Sequence, residues 1–396
     1  MPIYSVYLHF PFCVHRCSYC DFNTYAGLNS LIPEYVQALR KEVLFLSQTA
    51  AIRLPIHTIF FGGGTPSLLS VMEIEGILKI LSEVFQFQSG IEITLEANPG
   101  TISLQYLRDL RSLGANRLSL GMQSAHPDDL QLLERQHGLK DVEQAVIWSR
   151  AAGIDNLNLD LIFGIPHQSL VRWDRTLTYT LSLCPDHLSL YSLTLEHGTP
   201  LAHWVERGLV PTPDSDLAAD MYELAEVKLN EAGFEQYEIS NWAKRKPGGN
   251  IAACHHNLQY WRSLPYLGFG AGAHGFAMGV RTVNALAPAA YIRRAEGPFI
   301  VEDYPFPRTP TMTDVISIDR MTEMGETMMM GLRLVVEGIS KSIFAHRFGQ
   351  SLMEAYGSQI QRLISQELLE WAGGGDILRL TQRGKLLGNR VFREFI

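Results

Sequence analysis

Cys13, Cys17 and Cys20 stand in C-x3-C-x2-C spacing, directly after a run, Ser5–Phe10, that reads as a strand. Three thiolates on one short loop can hold three corners of a cubane [4Fe–4S] cluster, whose usual complement is four cysteines. The nearby position where a fourth would fall is Phe22, which cannot ligate. One iron is then left for a non-protein ligand, and an open metal position marks chemistry or ligand exchange rather than structural support. The competing reading is zinc, held by the same cysteines with His15 or His9. Zinc knuckles bring their ligands in two separated pairs, and no second Cys/His pair follows at finger spacing.

These residues need a scaffold, and the first 195 residues supply an alternating one. Strand-like runs are expected at Ser5–Phe10, His57–Phe61, Ile91–Glu96, Arg117–Gly121, Leu157–Phe163 and His187–Ser192. Amphipathic stretches lie between them, at Pro33–Leu46, Val71–Phe85, Leu104–Leu113, Val142–Ala152 and Leu170–Leu183. Pro33 and Ser67 are start signals, and Gly114 and Gly153 close two of the helices. Six β-α units in series imply an α/β fold with a parallel sheet and right-handed crossovers. A closed barrel needs eight, so an incomplete, open (β/α)6 barrel is expected.

In such folds sites gather at the carboxyl ends of the strands, and the unusual residues fall there. The cysteine loop follows the first strand and Gly62-Gly63-Gly64-Thr65-Pro66-Ser67 the second. Glu96 ends the third, Gln123 follows the fourth, Asp160 lies within the fifth, and Thr194 and Glu196 follow the sixth. Each has a plainer reading by itself. The glycine run suits a tight turn, Glu96 and Asp160 suit helix caps or paired rim charges, and Arg135 suits a helix surface. Their shared rim favours a common ligand. Glycines there also leave backbone N–H and C=O groups open to it.

Beyond residue 197 the pattern changes. A helix is expected at Asp216–Ala232, a strand at Gln236–Trp242 and a loop over residues 244–249, before Cys254-His255-His256-Asn257-Leu258-Gln259-Tyr260-Trp261. The small-residue run Gly268–Gly275 allows close approach of backbone to a ligand or to another backbone. Pro305, Pro307 and Pro310 read as a linker to helices at Ile318–Leu334, Ser340–Phe348 and Ser351–Gln366. A short strand, a turn and a terminal helix follow from Ile377, which together give a winged-helix-like unit. Met321, Met324 and Met328, at i, i+3 and i+7, are expected to face its core. The division is then residues 1–200 for the barrel, 201–300 for its extension and 301–396 for the C-terminal helical domain.

Composition narrows the function classes. Of 396 residues, 46% are apolar and 19% charged, which allows a sizeable core. A net charge of −8 argues against nucleic acid as the main partner, since phosphate binding needs a basic face. Five cysteines, three of them in one loop, do not make a disulfide framework and point to a reducing compartment. No apolar run reaches the ~18–20 residues of a membrane span, and Met-Pro-Ile-Tyr opens no signal peptide. A cytoplasmic location is expected.

The cysteine loop, the glycine-rich turn and the rim residues together resemble the radical S-adenosylmethionine superfamily. Within it, Tyr-Leu-His-Phe-Pro-Phe-Cys, Gly-Gly-Gly-Thr-Pro-Ser, Glu-Ala-Asn-Pro, Leu-Gly-Met-Gln-Ser, Asp-Leu-Ile-Phe-Gly-Ile-Pro and Tyr-Glu-Ile-Ser-Asn-Trp are similar to the oxygen-independent coproporphyrinogen dehydrogenase group. The resemblance implies a radical-SAM partial barrel, with the cluster on Cys13, Cys17 and Cys20 and S-adenosylmethionine on its fourth iron. By the same resemblance Tyr7, Tyr19, Gly63, Gly64, Thr65, Glu96, Gln123, Arg135 and Asp160 surround that ligand. Their chemistry fits: open backbone and Glu96 suit an ammonium group, Arg135 a carboxylate, and Gln123 and Asp160 ribose or ammonium contacts.

Two departures sort the chain within this group. The dehydrogenases carry a further cysteine where this chain has Phe22, and a long segment before the cysteine loop, where only 12 residues precede Cys13. Both features, with His256-Asn257-x-x-Tyr260-Trp261, resemble the sister family of heme chaperones, in which this motif is implicated in heme binding. A histidine nitrogen is a common axial ligand, and aromatic neighbours pack on a porphyrin face. His256 is the expected ligand, with His255 and Cys254 as fallbacks; the plainer reading is that the histidines stabilise a loop. The resemblance implies delivery of heme to an acceptor protein, such as a respiratory enzyme, and leaves homodimerisation and peripheral membrane contact open. The alternative is radical decarboxylation of coproporphyrinogen III, which needs a site sealed from water.

Overall fold

The computed structural model describes residues 2–246 and 248–396. Met1 lies outside the described residues, as does Pro247, part of the loop expected over 244–249. Strands β1 (Tyr4–Phe10), β2 (Pro55–Gly63), β3 (Gln86–Ala97), β4 (Arg117–Gln123), β5 (Asn156–Phe163) and β6 (His187–Ser192) lie parallel in chain order. Helices α1 (Ile32–Thr49), α2 (Val71–Val84), α3 (Leu104–Ser112), α4 (Pro127–Leu132), α5 (Leu139–Ala151) and α6 (Leu170–Ser182) form the crossovers. Their starts are written in the sequence. Ser70 and Glu73 make a reciprocal capping box on α2, and the Ser103 and Ser169 hydroxyls accept from backbone N–H groups of α3 and α6. The strands carry consecutive buried residues such as Leu161, Ile162 and Phe163, which is what a parallel sheet covered on both faces demands.

The sheet does not stop at six strands. After α7 (Pro200–Glu206) and α8 (Ser215–Glu231), the hairpin β7 (Phe234–Glu238) and β8 (Asn241–Lys244) adds antiparallel to β6. Gln236–Trp242, expected as one strand, is therefore two. Its corner at Ile239 and Ser240 is held by distant partners: Ile239 N–H donates to Arg333 O (3.1 Å), and Ser240 O accepts from Leu190 N (2.8 Å). After α9 (His255–Trp261), strand β9 (Tyr266–Phe269) joins the free edge of β1 in parallel. Strands β10 (His274–Ala277), β11 (Val280–Asn284) and β12 (Met312–Ser317), with α10 (Pro288–Arg294) between the last two, continue it antiparallel. The result is an open twelve-stranded sheet in the order β12-β11-β10-β9-β1-β2-β3-β4-β5-β6-β8-β7. Residues 312–317, expected in the C-terminal unit, thus belong to this sheet.

The small-residue run serves backbone packing. A Cβ on Gly268 would meet His274 O at 1.9 Å, and one on Gly270 would meet His9 O at 2.5 Å. β9 can therefore lie against β10 and the end of β1 only without side chains there.

A second hydrophobic core gathers α11 (Arg320–Gly331), α12 (Lys341–Phe348) and α13 (Leu352–Ser365) on a small sheet of β13 (Ile339–Ser340), β14 (Leu369–Ala372) and β15 (Ile377–Leu380). Strand β14 has no counterpart among the sequence expectations. Met324 and Met328 are buried in this core, whereas Met321 is 79% exposed. The expectation for Met321 fails because α11 begins at Arg320, so its first turn projects past the core. The two cores meet through Arg333, which lies 4.3 Å from the Trp261 ring and 3.4 Å from Glu238.

One buried carboxylate ties the added strands to the barrel. Glu42 of α1 accepts from Gly270 N (3.0 Å), Asn284 Nδ2 (2.9 Å), Tyr291 Oη (2.5 Å), Thr309 Oγ1 (3.1 Å) and Thr311 Oγ1 (2.6 Å). Every partner is a donor, so an amide in place of the carboxylate must oppose one of them. Glu42→Gln is expected to lower unfolding stability by about 1–3 kcal/mol, read from the urea midpoint.

Candidate functional site

The cysteine loop leaves β1 and is pinned at its base, where Phe12–Cys13 pairs in parallel with Tyr25–Ala26. Its middle is held by Ser18, which is fully buried. The Ser18 hydroxyl donates to Leu132 O (2.7 Å) at the end of α4, and Ser18 O accepts from Leu201 N (2.9 Å) of α7. Cys13, Cys17 and Cys20 all carry free thiols and line one cavity of about 370 Å³. Tyr19, Gly63, Gly64, Thr65, Glu96, Gln123, Arg135 and Asp160 line it as well. Eleven of the expected site residues, contributed by five strands and three loops or turns, therefore meet at the carboxyl ends of the strands.

The fit to the implied cluster and ligand rests on this cavity's own chemistry. Among the described residues no three His, Cys, Asp or Glu side chains converge on a point that a single ion could occupy. Three thiols that line one cavity suit three corners of a multi-iron cube. Gly64 is built for close approach, since a Cβ there would lie 2.6 Å from Phe12 O and 2.9 Å from Cys13 Sγ. Thr65 Oγ1 donates to Cys13 Sγ (3.7 Å), and Arg135 Nη1 to Cys17 Sγ (3.5 Å). Arg135 Nη2 also donates to Asn98 Oδ1 and Gly121 O, while its buried Nε has no partner among the described residues. A cation with an open donor is chemistry that suits an anionic ligand.

The opposite charge stands across the cavity. Glu96 accepts from Gly63 N (3.1 Å); Asp160 accepts from Asn158 Nδ2 (2.8 Å) and Ser119 Oγ (3.0 Å). Burial, and then the neighbouring Asp160, push the Glu96 carboxyl up to about 8. Burial also raises Asp160, against the hydrogen bonds that hold it down. Two buried carboxyls facing one space are relieved by a cationic group. Gln123 sits at a break in register between β4 and β5 with φ 67°, a left-handed backbone unusual for a side-chain residue and typical of functional rims. Asn98 and Tyr191 also line the cavity and were missed by sequence reasoning. Asn98, two residues after Glu96 in Glu-Ala-Asn-Pro, had a legible signal; Tyr191 had none.

Two of the expected residues lie apart from the cysteine cavity or out of reach of a ligand. Tyr7 does not line this cavity. Its hydroxyl meets His9 Nδ1 (3.0 Å), and its ring faces a second cavity with Tyr260 and Trp261. The chemistry of β1 alternates by two, so Tyr7 and His9 point inward below the loop. His256, the expected axial ligand, is 1% exposed with both ring nitrogens engaged. Nδ1 lies 2.8 Å from Thr58 Oγ1, and Nε2 lies 2.8 Å from Tyr260 Oη. Burial holds His256 down at about 3, hence neutral. Its helix α9 is capped by the buried Glu92, which accepts from His255 N and His256 N (3.1 Å each). Of the fallbacks, Cys254 is fully buried and its thiol lies 3.7 Å from Glu92; His255 is exposed. Asn257 is half-buried and lines neither cavity. The motif thus closes the amino half of the barrel interior, against Ser5 and Thr58.

Comparisons with known proteins agree with this architecture. Residues 7–179 match the radical SAM superfamily, and residues 318–387 match the HemN C-terminal domain. A protein of Bacillus subtilis named heme chaperone HemW is 36% identical over 394 residues, covering 99% of each chain. One of Mycobacterium tuberculosis with the same name is 35% identical, covering 99% of this chain and 95% of its own. Among solved structures, the coproporphyrinogen III oxidase HemN of Escherichia coli matches 100% of this chain and 90% of its own, with TM-score 0.82 and 21% identity. That likeness is one of fold.

The raised Glu96 carboxyl has a measurable sign. Its folded pKa of about 8 lies above the ordinary 4.5, so the folded state holds a proton that the unfolded state has released between those values. Stability contributed by Glu96 is present below about 4.5 and lost as pH rises to about 8. Without ligand, Glu96→Gln should match wild type near pH 4.5 and exceed it above pH 8, by a few kcal/mol at most, in urea unfolding at both pH values.

Proposed function

The chain belongs to the HemW family of the radical S-adenosylmethionine superfamily, and on that premise we propose that it is a heme chaperone, which binds heme and passes it to an acceptor protein. The observation that carries this reading is kinship along the whole chain with proteins named heme chaperone. Phe22 supports it. This residue is 64% exposed at the edge of the cysteine cavity, where the coproporphyrinogen dehydrogenases carry a further cysteine.

Cys13, Cys17 and Cys20 would hold a [4Fe–4S] cluster, which when bound supplies an open iron and an electron. Around it, Arg135 would pair with the carboxylate of S-adenosylmethionine, and Glu96 with its ammonium group. Gln123 and Asp160 would take the ribose, and Tyr19, Gly63, Gly64 and Thr65 would close on the remainder. The partly covered rim suits exchange with a protein partner better than the sealed site that radical chemistry on a tetrapyrrole needs.

Anaerobic reconstitution should give about four irons per chain. Alanine at Cys13, Cys17 or Cys20 should abolish this, while alanine at the exposed Cys184 should not. Arg135→Ala should weaken S-adenosylmethionine binding about tenfold to a hundredfold in calorimetry with cluster content unchanged, the cost of a charge-assisted contact of ~1.5–3 kcal/mol. The chaperone reading itself is tested by giving the reconstituted protein heme and coproporphyrinogen III in parallel. Heme uptake at one site per chain and release to an apo-acceptor is expected, with no decarboxylation. Turnover of coproporphyrinogen III on the order of 1 per second would replace this reading with the radical decarboxylase.

A further inference from the structure

A second cavity, of about 420 Å³, opens between strands β9 and β10 of the sheet and α11 of the C-terminal unit. Its size is that of a small-molecule pocket. Aromatic rings dominate its walls: Tyr7, Tyr260, Tyr266 and Phe276, with Tyr260 and Tyr266 edge to face at 4.6 Å. Met330 of α11 closes the opposite side. Flat rings faced by a pliable thioether suit a planar aromatic ligand.

Two histidines line this cavity, and they differ in what their nitrogens already do. His9 spends both, Nε2 donating to Asn23 O (2.9 Å) and Nδ1 accepting from Tyr7 Oη (3.0 Å). His274, at the exposed mouth, has no side-chain hydrogen bond among the described residues. Partial burial and the nearby Arg281 lower its pKa, which keeps a nitrogen lone pair available at neutral pH. His256, by contrast, is sealed behind Tyr260.

The cavity's two carboxylates are already engaged, Glu326 by Arg281 and Glu323 by Arg347, and other donors in its lining are left over. Arg281 gives one hydrogen bond, to Glu326 (2.6 Å), and keeps further N–H donors for a ligand. Two buried polar atoms in its wall, Trp261 Nε1 and Ser263 Oγ, have no partner among the described residues. Carboxylates at the edge of a ligand would supply what is missing.

We infer that this cavity is the heme site, with His274 as the axial ligand of the iron and Arg281 facing the propionates. The inference rests on the chaperone reading and moves the ligand from the motif's histidine to the sheet. Tyr260 and Trp261 then serve as wall, and His256 as the buried support that orients Tyr260. A ligand at the cavity mouth can be exchanged with an acceptor's own ligand without unfolding the barrel.

The test titrates hemin, and separately metal-free protoporphyrin, into wild type, His274→Ala, His274→Gly, Met330→Trp and His255→Ala. His274→Ala should shift the Soret band and weaken hemin at least tenfold, leaving metal-free protoporphyrin within about twofold and cluster content unchanged. Imidazole should restore the wild-type band to His274→Gly. Met330→Trp, which fills the cavity, should weaken both ligands, and the exposed His255→Ala neither. Wild-type hemin uptake that His274→Ala and Met330→Trp leave untouched, in band and affinity, would overturn this inference alone. Failure of wild type to take up hemin would overturn the chaperone reading with it.

Discussion

Strand β1 is hydrogen-bonded along both edges, to β2 on one side and β9 on the other, and the molecule's two chambers depend on that pairing. A strand held on both sides cannot shift register without turning its inward residues outward. Its loop therefore leaves the sheet at a fixed height, and the thiols arrive beside the glycine turn that follows β2. The same pairing fixes Ser5, Tyr7 and His9 on the interior face. Ser5 joins the polar plug with Thr58, while Tyr7 and His9 line the second cavity. His9 also packs on Gly63 of the first cavity, where a Cβ would lie 2.7 Å from its ring. One strand thus forms part of the wall between a cysteine-lined space and an aromatic one.

The two spaces divide labour by chemistry. The first gathers thiols, two buried carboxyls and a buried guanidinium, at a cost in stability that a ligand of mixed charge would offset. The second is aromatic, with the Arg281–Glu326 pair and one uncommitted imidazole in its lining. A cofactor that carries charge and electrons and a flat cargo with carboxylate edges want these different surroundings. Trp261 links them to the C-terminal unit: its ring takes Arg333, and α11, so docked, completes the second cavity with Met330 and Glu326. That unit is therefore part of the candidate cargo site.

By itself the sequence determined the local and the regular. Six β-α units were legible because hydrophobic period, serine caps and terminal glycines act over a few residues. The rim was legible for the same reason: once the strands are placed, their carboxyl ends are known, and Cys13, Gly64, Glu96 and Asp160 must share one side. Tertiary structure alone decided what depends on partners far along the chain. β9 pairs with β1 across some 260 residues, and only that contact tells what the glycines of 268–275 are for. The corner in 236–242 exists because Arg333 and Leu190 satisfy its backbone. His256 and His274 look alike as letters. One is closed in by Thr58 and Tyr260 and the other left open, because a side chain's hydrogen-bond partners are set by packing that no local spacing encodes.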